Sequence, residues 1–466
     1  MSGSGPVIVI GGGISGLTTA FWLQKSGIEV IVLEKEPWAG GTMRTTHEDE
    51  WLIETGPNSA LETTPLFEEM FEALGIIGDR EYADPASNRR YILRSGQLHP
   101  LPMSPGLFLR SRLWTTGGKL RLLKEPFVGR GEREETIAEF VERRLGREFL
   151  DYAINPFVAG VFAGNPEQLS VRSAFPKLYA LEEKYGGLIK GMIKGARERK
   201  KRVEKAKDRA RMFSFRSGMQ TFPDALARNL RSRLMLSANV TSIETEELSN
   251  QRRRYVVRFA QEGKSQTLAA RAVVLSVPAA AASHLVEAYS ATLAPKLRNV
   301  YYPPVAEVFL GYRVDQMSRP LDGFGFLVPA KEKREILGTI WSSAIFPHRA
   351  PAGHVALTSF VGGSRQPEIL NRDDEQLLAT VKRELREIMG VKGEPVLSRV
   401  IRWEKAIPQY NLGYGNITDE IGRTEEKYPG FYFCSNYRGG IAVGDCVMNG
   451  EKTSGRIRTY LANTSS

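Results

Sequence analysis

A mixed α/β fold with a Rossmann-like nucleotide-binding domain is predicted by three features of this 466-residue chain. Residues 7–34 read as a strand, a helix and a second strand in succession. Residues 272–277 (AVVLSV) are almost continuously apolar, as expected of a parallel strand that is covered on both faces. Between residues 303 and 403 apolar and polar positions alternate, which is typical of antiparallel strands. We therefore expect one parallel sheet and a separate antiparallel sheet.

The first βαβ unit begins with the apolar strand Val7–Ile10. A glycine-rich turn follows it, and residues 17–26 have the composition of a helix that Gly27 ends. The second strand, residues 29–33, leads directly to an acidic residue. A glycine turn between a strand and a helix is the arrangement in which many proteins bind the phosphates of a dinucleotide.

The glycines of this turn have GxGxxG spacing, and each has a physical role. Gly11 permits the tight turn, Gly13 lets the backbone approach a pyrophosphate, and Gly16 allows close packing of helix and strand. Glu34 comes 18 residues after Gly16, where a ribose-binding carboxylate is expected. GxGxxG alone is a weak signal, but here the strand, the helix and the acid accompany it. The sequence therefore predicts binding of NAD or FAD.

The residues after the second strand favour FAD. Gly40, Gly41 and Arg44 lie in the segment AGGTMRT, and GPNS follows at residues 56–59. This order resembles the GG…R signature of flavoproteins of the amine-oxidase and protoporphyrinogen-oxidase superfamily. In that superfamily the arginine and the later loop lie along the FAD pyrophosphate and the flavin. The resemblance implies that FAD is the cofactor.

The other elements are predicted from periodicity and from the positions of Gly and Pro. Helices are predicted at residues 65–74, 134–145, 148–152, 171–185, 218–230 and 373–389, with a closing helix from Asp445. Strands are predicted at residues 88–93, from 239, at 254–259, 266–270 and 431–434. Residues 97–211 combine helical stretches with a Pro-, Leu- and Arg-rich stretch, and we interpret them as a mainly helical insert.

The composition allows large hydrophobic cores, because 42% of the residues are hydrophobic. Two cysteines, Cys434 and Cys446, provide no disulfide framework and suit a reducing compartment. Five scattered histidines show no metal-ligand spacing, so we predict no metal site. We find no apolar run of about 18 residues that would span a membrane. The short stretch before the first strand also predicts no secretory or transit peptide.

The net charge of +11 is concentrated between Lys190 and Arg211, where eleven residues are basic and three are acidic. One interpretation is a solvated helix or loop. Another is attraction to anionic lipid headgroups, which is worth about 1 kcal/mol per basic residue near the surface. Nucleic acid also attracts such a run, but no recognition fold accompanies it, so we expect no nucleic-acid partner.

Several later segments resemble the FAD-dependent protoporphyrinogen oxidases. They are residues 160–165 (GVFAGN), 323–329 (GFGFLVP), 337–339 (LGT), 360–365 (FVGGSR), Trp403 with Ala406 and Pro408, and 439–443 (GGIAV). These segments occur in one order along nearly the whole chain and are more specific than the FAD signature. The resemblance implies oxidation of protoporphyrinogen IX to protoporphyrin IX in haem biosynthesis. Hydride would pass to flavin N5 over three two-electron cycles, with O2 as acceptor and H2O2 as product.

The same resemblance assigns substrate-binding positions. It places Leu327 and Ile340 on one side of the macrocycle and Phe360 on the other. Arg90 matches the arginine that binds a propionate, and Arg89 stays open as an alternative, since strand alternation points only one of the two inward. Taken alone, each apolar residue is an ordinary core residue on a strand. The matched motifs favour the site.

No side-chain base is predicted from spacing, and the resemblance implies that the backbone carbonyl at Gly160 accepts the proton. The FAD contacts that it implies are Gly11, Gly12, Gly13, Ile14, Ser15, Gly16, Glu34, Lys35, Gly41, Arg44, Gly56, Pro57, Asn58, Ser59, Val240, Trp403, Ile441, Ala442 and Val443. We expect FAD to be held non-covalently, although Cys446 offers a thiol for covalent attachment as in monoamine oxidases.

The predicted domains are discontinuous. A p-hydroxybenzoate-hydroxylase-like FAD-binding domain takes residues 1–88, 212–296 and 411–466, an antiparallel-sheet substrate domain takes 89–96 and 297–410, and a helical membrane-binding insert takes 97–211. The resemblance implies peripheral attachment to the inner cell membrane from the cytoplasm. It also implies a porphyrinogen substrate, O2 or a quinone as electron acceptor, handover of the product to ferrochelatase, and a homodimer.

Three alternative functions remain open at this point. A related enzyme oxidises coproporphyrinogen III to coproporphyrin III, and its substrate carries four propionates. An amine or polyamine oxidase on the same fold would need an aromatic cage instead of a carboxylate clamp. A non-catalytic, FAD-containing membrane-docking protein would not react with any porphyrinogen.

Overall fold

The mixed α/β fold is confirmed by a computed structural model that describes residues 5–195, 210–247 and 253–464. Most of the basic run, residues 196–209, lies outside the described residues. The strands are β1 (Val7–Ile10), β2 (Val30–Leu33), β3 (Thr45–Glu48), β4 (Trp51–Glu54), β5 (Ala60–Leu61), β6 (Arg80–Tyr82), β7 (Arg90–Arg94), β8 (Gln97–Pro100), β9 (Met212–Phe215), β10 (Leu234–Met235), β11 (Ala238–Glu247), β12 (Arg253–Gln261), β13 (Lys264–Ala270), β14 (Ala272–Leu275), β15 (Val305–Arg313), β16 (Gly325–Leu327), β17 (Gly338–Ile340), β18 (His354–Gly362), β19 (Leu397–Trp403) and β20 (Phe431–Phe433).

The α-helices of the described residues surround these sheets. They are α1 (Ile14–Lys25), α2 (Leu66–Ala73), α3 (Pro105–Arg110), α4 (Thr116–Arg121), α5 (Ile137–Leu145), α6 (Arg147–Phe149), α7 (Asn155–Phe162), α8 (Val171–Ala174), α9 (Pro176–Tyr185), α10 (Leu188–Lys194), α11 (Thr221–Leu230), α12 (Ala279–Leu285), α13 (Leu293–Arg298), α14 (Ser342–Ile345), α15 (Asp374–Met389), α16 (Gly415–Lys427) and α17 (Val443–Thr464).

The parallel sheet has the strand order β10-β2-β1-β14-β20, and its neighbouring strands are all parallel. Its two faces belong to different hydrophobic cores. In β1, Val7 and Val9 pack into one core, and Ile8 and Ile10 pack into the other. Burial on both faces explains why β1 and β14 are continuously apolar.

The glycine turn between β1 and α1 is set by close backbone contacts. Gly11 has a φ of +108°, and a Cβ placed there would lie 2.5 Å from the Ser276 carbonyl oxygen. A Cβ on Gly16 would lie 2.1 Å from the Gly11 carbonyl oxygen. The turn leads directly into α1, which begins at Ile14, three residues before the predicted start.

The seven-stranded sheet has the order β19-β15-β18-β17-β16-β7-β8. Its pairs are antiparallel as predicted, except that β16 runs parallel to β7. Strand β8 extends this sheet beyond residue 96, where the predicted substrate domain ends. Helix α15 covers one face, and its predicted start is confirmed by a capping box in which the Asp373 side chain accepts from the Gln376 N–H at 2.8 Å.

The strands predicted from residue 239 and at residues 254–259 and 266–270 are confirmed, and they form an antiparallel sheet in the order β11-β12-β13. Its first strand follows the parallel sheet closely, because the Ala238 N–H donates to the carbonyl oxygen of Glu34 at 2.8 Å. A bulge between Val240 and Ser242 bends β11 at this point. Val240 therefore lies near the carboxyl end of β2.

The described part of the insert is mainly helical. The predicted helix at residues 171–185 is two helices, α8 and α9, because Pro176 disfavours a helical backbone at Phe175. Residues 155–162, which sequence analysis left unassigned, form α7. Within residues 5–195, 210–247 and 253–464, no helix combines the length and the apolar content needed to cross a bilayer.

Candidate active site

The glycine turn after β1 pairs with the second glycine segment of the sequence. Gly13 and Gly40 form a parallel bridge, and the Gly40 N–H donates to the Gly12 carbonyl oxygen at 2.8 Å. A Cβ placed on Gly13 would meet no atom within 4 Å, so this backbone faces open space. No side chain of residues 5–195, 210–247 and 253–464 caps the start of α1. The uncapped N–H groups beside that space suit the phosphates of FAD.

Glu34 lies at the end of β2, as predicted, and is 7% exposed. Its Oε2 accepts from the Gly12 N–H at 2.5 Å and its Oε1 accepts from the Glu36 N–H at 2.8 Å. The carboxylate is therefore held against the glycine turn. The structure does not bring Lys35 into this group, because the Lys35 side chain is exposed and pairs with Glu36 at 3.3 Å.

Arg44 is half-buried, and its guanidinium lies 4.2 Å from the centre of the Trp38 ring. It forms no ion pair with any described residue, so its charge is available to a phosphate. Gly56 packs closely on the same segment, because a Cβ there would lie 1.9 Å from the Thr42 carbonyl oxygen. The predicted arginine and the predicted 56–59 loop are thus neighbours.

A buried ion pair that sequence reasoning missed supports this loop. Arg349 is 1% exposed, and its Nη1 lies 2.7 Å from Oε1 of Glu54. Its Nη2 donates to the Asn58 carbonyl oxygen at 3.1 Å and to Ser214 Oγ at 2.7 Å. Desolvation raises the pKa of Glu54 in spite of this partner. The arginine and the acid lie about 300 residues apart in sequence, so no local pattern indicates the pair.

Ile441, Ala442 and Val443 form the entry to α17, directly after a glycine turn at residues 439–440 with positive φ. The next residue, Gly444, packs against the segment after β5, because a Cβ there would lie 2.5 Å from Thr63 Oγ1. This contact brings the start of a 22-residue helix towards the strand that follows the 56–59 loop. Cys446 is buried in the first turns of this helix.

The three predicted apolar substrate residues project from one face of the seven-stranded sheet. Leu327 pairs with Gly338, and Gly338 pairs with Phe360, so these positions form one row across β16, β17 and β18. Ile340 stands two residues from Gly338 and therefore shares that face. The sheet thus presents all three residues on one face, a wall of the candidate site, and the placement of Phe360 on the other side of the macrocycle from Leu327 and Ile340 stays a prediction.

Helix α7 lies against this wall through its glycine. A Cβ on Gly160 would lie 2.4 Å from Cδ2 of Leu327. On either side of Gly160, Phe157 and Val161 are 42% and 44% exposed, so one face of α7 is apolar and uncovered. In a continuing helix the N–H of Gly164 would donate to the carbonyl oxygen of Gly160. Here it donates to the carbonyl oxygen of Val158 at 3.3 Å, because α7 ends at Phe162.

The two candidate arginines at the start of β7 have different surroundings. Arg89 donates to Asp322 at 2.8 Å, and this hydrogen bond raises the pKa of Arg89. Arg90 forms no ion pair with any described residue, and its guanidinium lies 5.4 Å from the centre of the Phe324 ring. Although Arg90 is exposed, desolvation by surrounding protein lowers its pKa. Arg90 is therefore the arginine with an available charge.

A narrow crevice of about 10 Å³ joins the predicted cofactor loop to the predicted substrate face. Asn58 and Ser59 line one side of it, and Phe324 and Ile340 line the other. This volume is far below the roughly 300–1,000 Å³ typical of ligand pockets, so the crevice marks where the two surfaces meet and does not by itself accommodate a macrocycle.

Two further ionisable residues near this wall were not assigned from sequence. Glu307 on β15 is 5% exposed, and burial raises its pKa to about 8. The sequence feature that could have indicated Glu307 is a single acidic residue within the apolar strand VAEVFLGY. Arg365 donates to the Val328 carbonyl oxygen at 2.7 Å and to Asn155 Oδ1 at 3.3 Å, and desolvation lowers its pKa to about 10.

The sequence pattern of the family described as "Flavin containing amine oxidoreductase" matches residues 14–458. The chain belongs to this family. The match includes helix α1, Arg44 and most of α17. FAD is accordingly the cofactor, and this amine oxidoreductase family member is an oxidoreductase.

Three relatives of this family member cover nearly its whole length. The mitochondrial protoporphyrinogen oxidase of Nicotiana tabacum is 33% identical over 98% of this chain and 96% of its own. The coproporphyrinogen III oxidase of Bacillus subtilis is 27% identical over 98% of both chains. A solved structure from Exiguobacterium sp. 255-15, provisionally named a protoporphyrinogen oxidase, has a TM-score of 0.80 at 23% identity over 99% of this chain and 100% of its own. The resemblance to the protoporphyrinogen oxidase family is confirmed.

Proposed function

We propose that this protein oxidises protoporphyrinogen IX to protoporphyrin IX, using FAD and then O2. The observation that carries the proposal is the position of Arg90. Its guanidinium, which forms no ion pair with the described residues, stands at one end of an apolar sheet face, and that face meets the 56–59 loop of the flavin site at a crevice. An apolar macrocycle with carboxylates on one edge matches this combination of surfaces.

Bound FAD would supply the capacity to accept two electrons from each oxidised bond of the substrate. This chain would hold it through the glycine turn, Glu34 and Arg44 on the pyrophosphate and ribose side. The start of α17 would lie at the flavin end, where the positive end of the helix dipole favours negative charge. Non-covalent attachment agrees with the burial of Cys446, the cysteine of this helix.

The apolar wall would provide most of the affinity for the substrate. If about 400 Å² of apolar surface is buried, the transfer free energy is about 10 kcal/mol before the costs of association. A charge-assisted hydrogen bond from Arg90 would add about 1.5–3 kcal/mol. Arg90 would therefore orient the macrocycle more than it retains it.

The Gly160 carbonyl would accept the proton that leaves a pyrrole nitrogen of the substrate. It lies in the last turn of α7, and the Gly164 N–H that would normally reach it is used by Val158. A carbonyl oxygen with a free lone pair can hold a proton transiently through a hydrogen bond. Water would then carry this proton away from the site.

Coproporphyrinogen III is the second candidate substrate, because a relative of that name matches 98% of the chain. Anaerobic stopped-flow mixing with each porphyrinogen would test both candidates, with loss of the oxidised-flavin absorbance as the signal. We expect protoporphyrinogen IX to reduce the flavin faster. Faster reduction by coproporphyrinogen III would identify that compound as the substrate instead. Reduction by putrescine alone, or by none of these compounds, would overturn the proposal.

In air, three H2O2 per porphyrin formed would support O2 as the acceptor.

We further propose that the insert docks on the inner face of a cell membrane. The insert carries a group of apolar side chains that are 53–89% exposed, which we call the insert surface: Met103, Leu107, Leu109, Leu120, Leu123, Phe127, Met192 and Ile193. Cations flank it, namely Arg110, Arg112, Lys124, Lys190 and Lys194. Exposed apolar side chains among basic residues are typical of helices that lie in the membrane interface.

The segments of the insert surface are fixed relative to one another. Lys119 of α4 donates to the carbonyl oxygens of Leu109 and Ser111 at 2.9 and 2.7 Å. Glu125, beside Leu123, accepts from the Leu188 N–H at the start of α10 at 2.7 Å. Exposed side chains from three segments can therefore enter a bilayer together.

Co-sedimentation with vesicles that contain anionic lipid tests this docking. Replacing both Leu123 and Phe127 by Ser should reduce the bound fraction at least tenfold, since each fully buried apolar side chain contributes about 1.5–3 kcal/mol. Val314→Ser is the matched control, because Val314 is 54% exposed outside the insert. Equal binding by all three proteins would contradict the proposal.

A further inference from the structure

Glu307 lies on the face of the seven-stranded sheet that carries the candidate substrate residues. In β15 it pairs with Phe360 of β18 on one side and with Ile401 of β19 on the other. Two residues earlier in β15, Val305 pairs with Trp403, so Trp403 stands diagonally next to Glu307 on the same face. The acid thus lies between a candidate substrate residue and a candidate flavin residue.

The Glu307 carboxyl group has only part of its hydrogen bonding satisfied. Trp403 supplies one hydrogen bond to it. Its Oε2 is buried and has no hydrogen-bond partner in the described residues. An isolated carboxylate in such surroundings is strongly disfavoured, so the group holds a proton at neutral pH. Burial raises its pKa to about 8, against the effect of Trp403.

One charged group of the described residues acts directly on Glu307. This group, Glu54 of β4, raises the pKa of Glu307 further. Arg349 lies 2.7 Å from Glu54 and partly neutralises it. Among the described residues, Glu307 has no cation of its own. A negative charge at Glu307 would therefore interact strongly with any other charge that develops nearby.

We propose that Glu307 is a positioning residue of the flavin site, which orients Trp403 and remains uncharged so that electrons can enter the bound FAD. The inference rests on the proposed function and on the FAD contact that the family resemblance implies for Trp403, and it does not depend on which porphyrinogen is the substrate. When Glu307 is ionised, reduction of the FAD is disfavoured by a neighbouring negative charge. Reduction then draws one additional proton from solvent to Glu307, besides those taken up by the cofactor.

The reduction potential of the bound FAD, measured with dithionite and a reference dye from pH 6 to pH 10, tests this coupling. We expect wild-type protein and Glu307→Gln to agree at pH 6. Above about pH 8 the wild-type potential should fall below that of the variant. We expect the equilibrium constants for FAD reduction in the two proteins to differ about tenfold at most, which corresponds to about 30 mV for a two-electron couple. Glu404→Gln is the matched control, because Glu404 is adjacent to Trp403 but exposed.

A purely structural role would not produce a pH-dependent difference. Trp403→Phe removes the hydrogen bond that lowers the pKa of Glu307, so the pH at which the potentials diverge should rise. Parallel curves for wild type and Glu307→Gln at every pH would overturn the inference. So would an equal effect of Glu404→Gln.

Thermal unfolding of the FAD-loaded protein gives an independent readout. The unfolded chain releases the Glu307 proton near the ordinary value of 4.5, whereas the folded chain keeps it until about pH 8. Stability that depends on this group is therefore lost as pH rises from about 5 to 8. Glu307→Gln should raise the Tm relative to wild type, and by more at pH 8 than at pH 5. A constant difference in Tm would contradict a buried, protonated Glu307.

The two proposals fail in different ways. If porphyrinogens reduce the flavin but the potentials show no divergence, the proposed function stands and the role of Glu307 is wrong. If the potentials diverge but no porphyrinogen reacts, Glu307 acts on the flavin of an oxidase with another substrate.

Discussion

Replacing Arg90 is the most direct test of the carboxylate clamp. Arg90→Ala removes the guanidinium that has no acidic partner among the described residues, while the FAD-binding segments stay intact. The same change also removes the packing of the side chain near Phe324, 5.4 Å from its ring. Arg90→Met separates the two effects, because methionine keeps most of that apolar contact and lacks the charge.

The expected magnitude follows from the strength of one charge-assisted hydrogen bond. About 1.5–3 kcal/mol corresponds to a rise of about 10- to 140-fold in the dissociation constant of the porphyrinogen. Because Arg90 is exposed, water competes for the substrate carboxylate, and we expect the lower end of this range. KM should rise while kcat changes little, since the contact is made equally in the ground state and the transition state.

The assay is steady-state porphyrin fluorescence over a range of porphyrinogen concentrations, with the FAD content measured from absorbance. Arg89→Ala is the matched control, because Arg89 is the adjacent arginine and is engaged with Asp322 at 2.8 Å. We expect its KM to remain within about twofold of wild type, as for other exposed ion pairs.

Two results would refute the reasoning. If Arg89→Ala raised KM as much as Arg90→Ala, the assignment of the free charge from the structure would be wrong. If Arg90→Met behaved like wild type while Arg90→Ala did not, packing would explain the effect and no carboxylate would be bound there.

Two other substitutions test the site wall and the insert. Gly160→Ala should lower porphyrinogen turnover without lowering Tm, because its Cβ would lie 2.4 Å from Leu327 Cδ2, and Leu327→Ala in the same chain should restore part of the turnover. Arg144→Met should destabilise the protein by about 3–5 kcal/mol in urea unfolding at neutral pH, since it leaves the fully buried Glu125 without its partner at 2.6 Å, whereas loss of the exposed Arg133 should cost at most about 1 kcal/mol.

Much of the cofactor site could be predicted from sequence, because it is built from local elements. The strand, the glycine turn and the acid at Glu34 fall within residues 7–34, and the structure shows Gly11 in a positive-φ turn and Gly13 facing open space. Glycine spacing encodes these features directly, since no other residue fits a contact of 2.5 Å to a neighbouring carbonyl. The apolar runs likewise encode which strands are covered on both faces.

Contacts between distant segments were decided only by the tertiary structure. The sequence left Arg89 and Arg90 as alternatives. In the structure Arg89 donates a hydrogen bond to Asp322, which is more than 230 residues away in sequence. The support of the 56–59 loop by Arg349 and the burial of Glu307 beside Trp403 are of the same kind. Local patterns set the conformation of a segment, but the charge state and availability of a side chain depend on which groups the whole fold places around it.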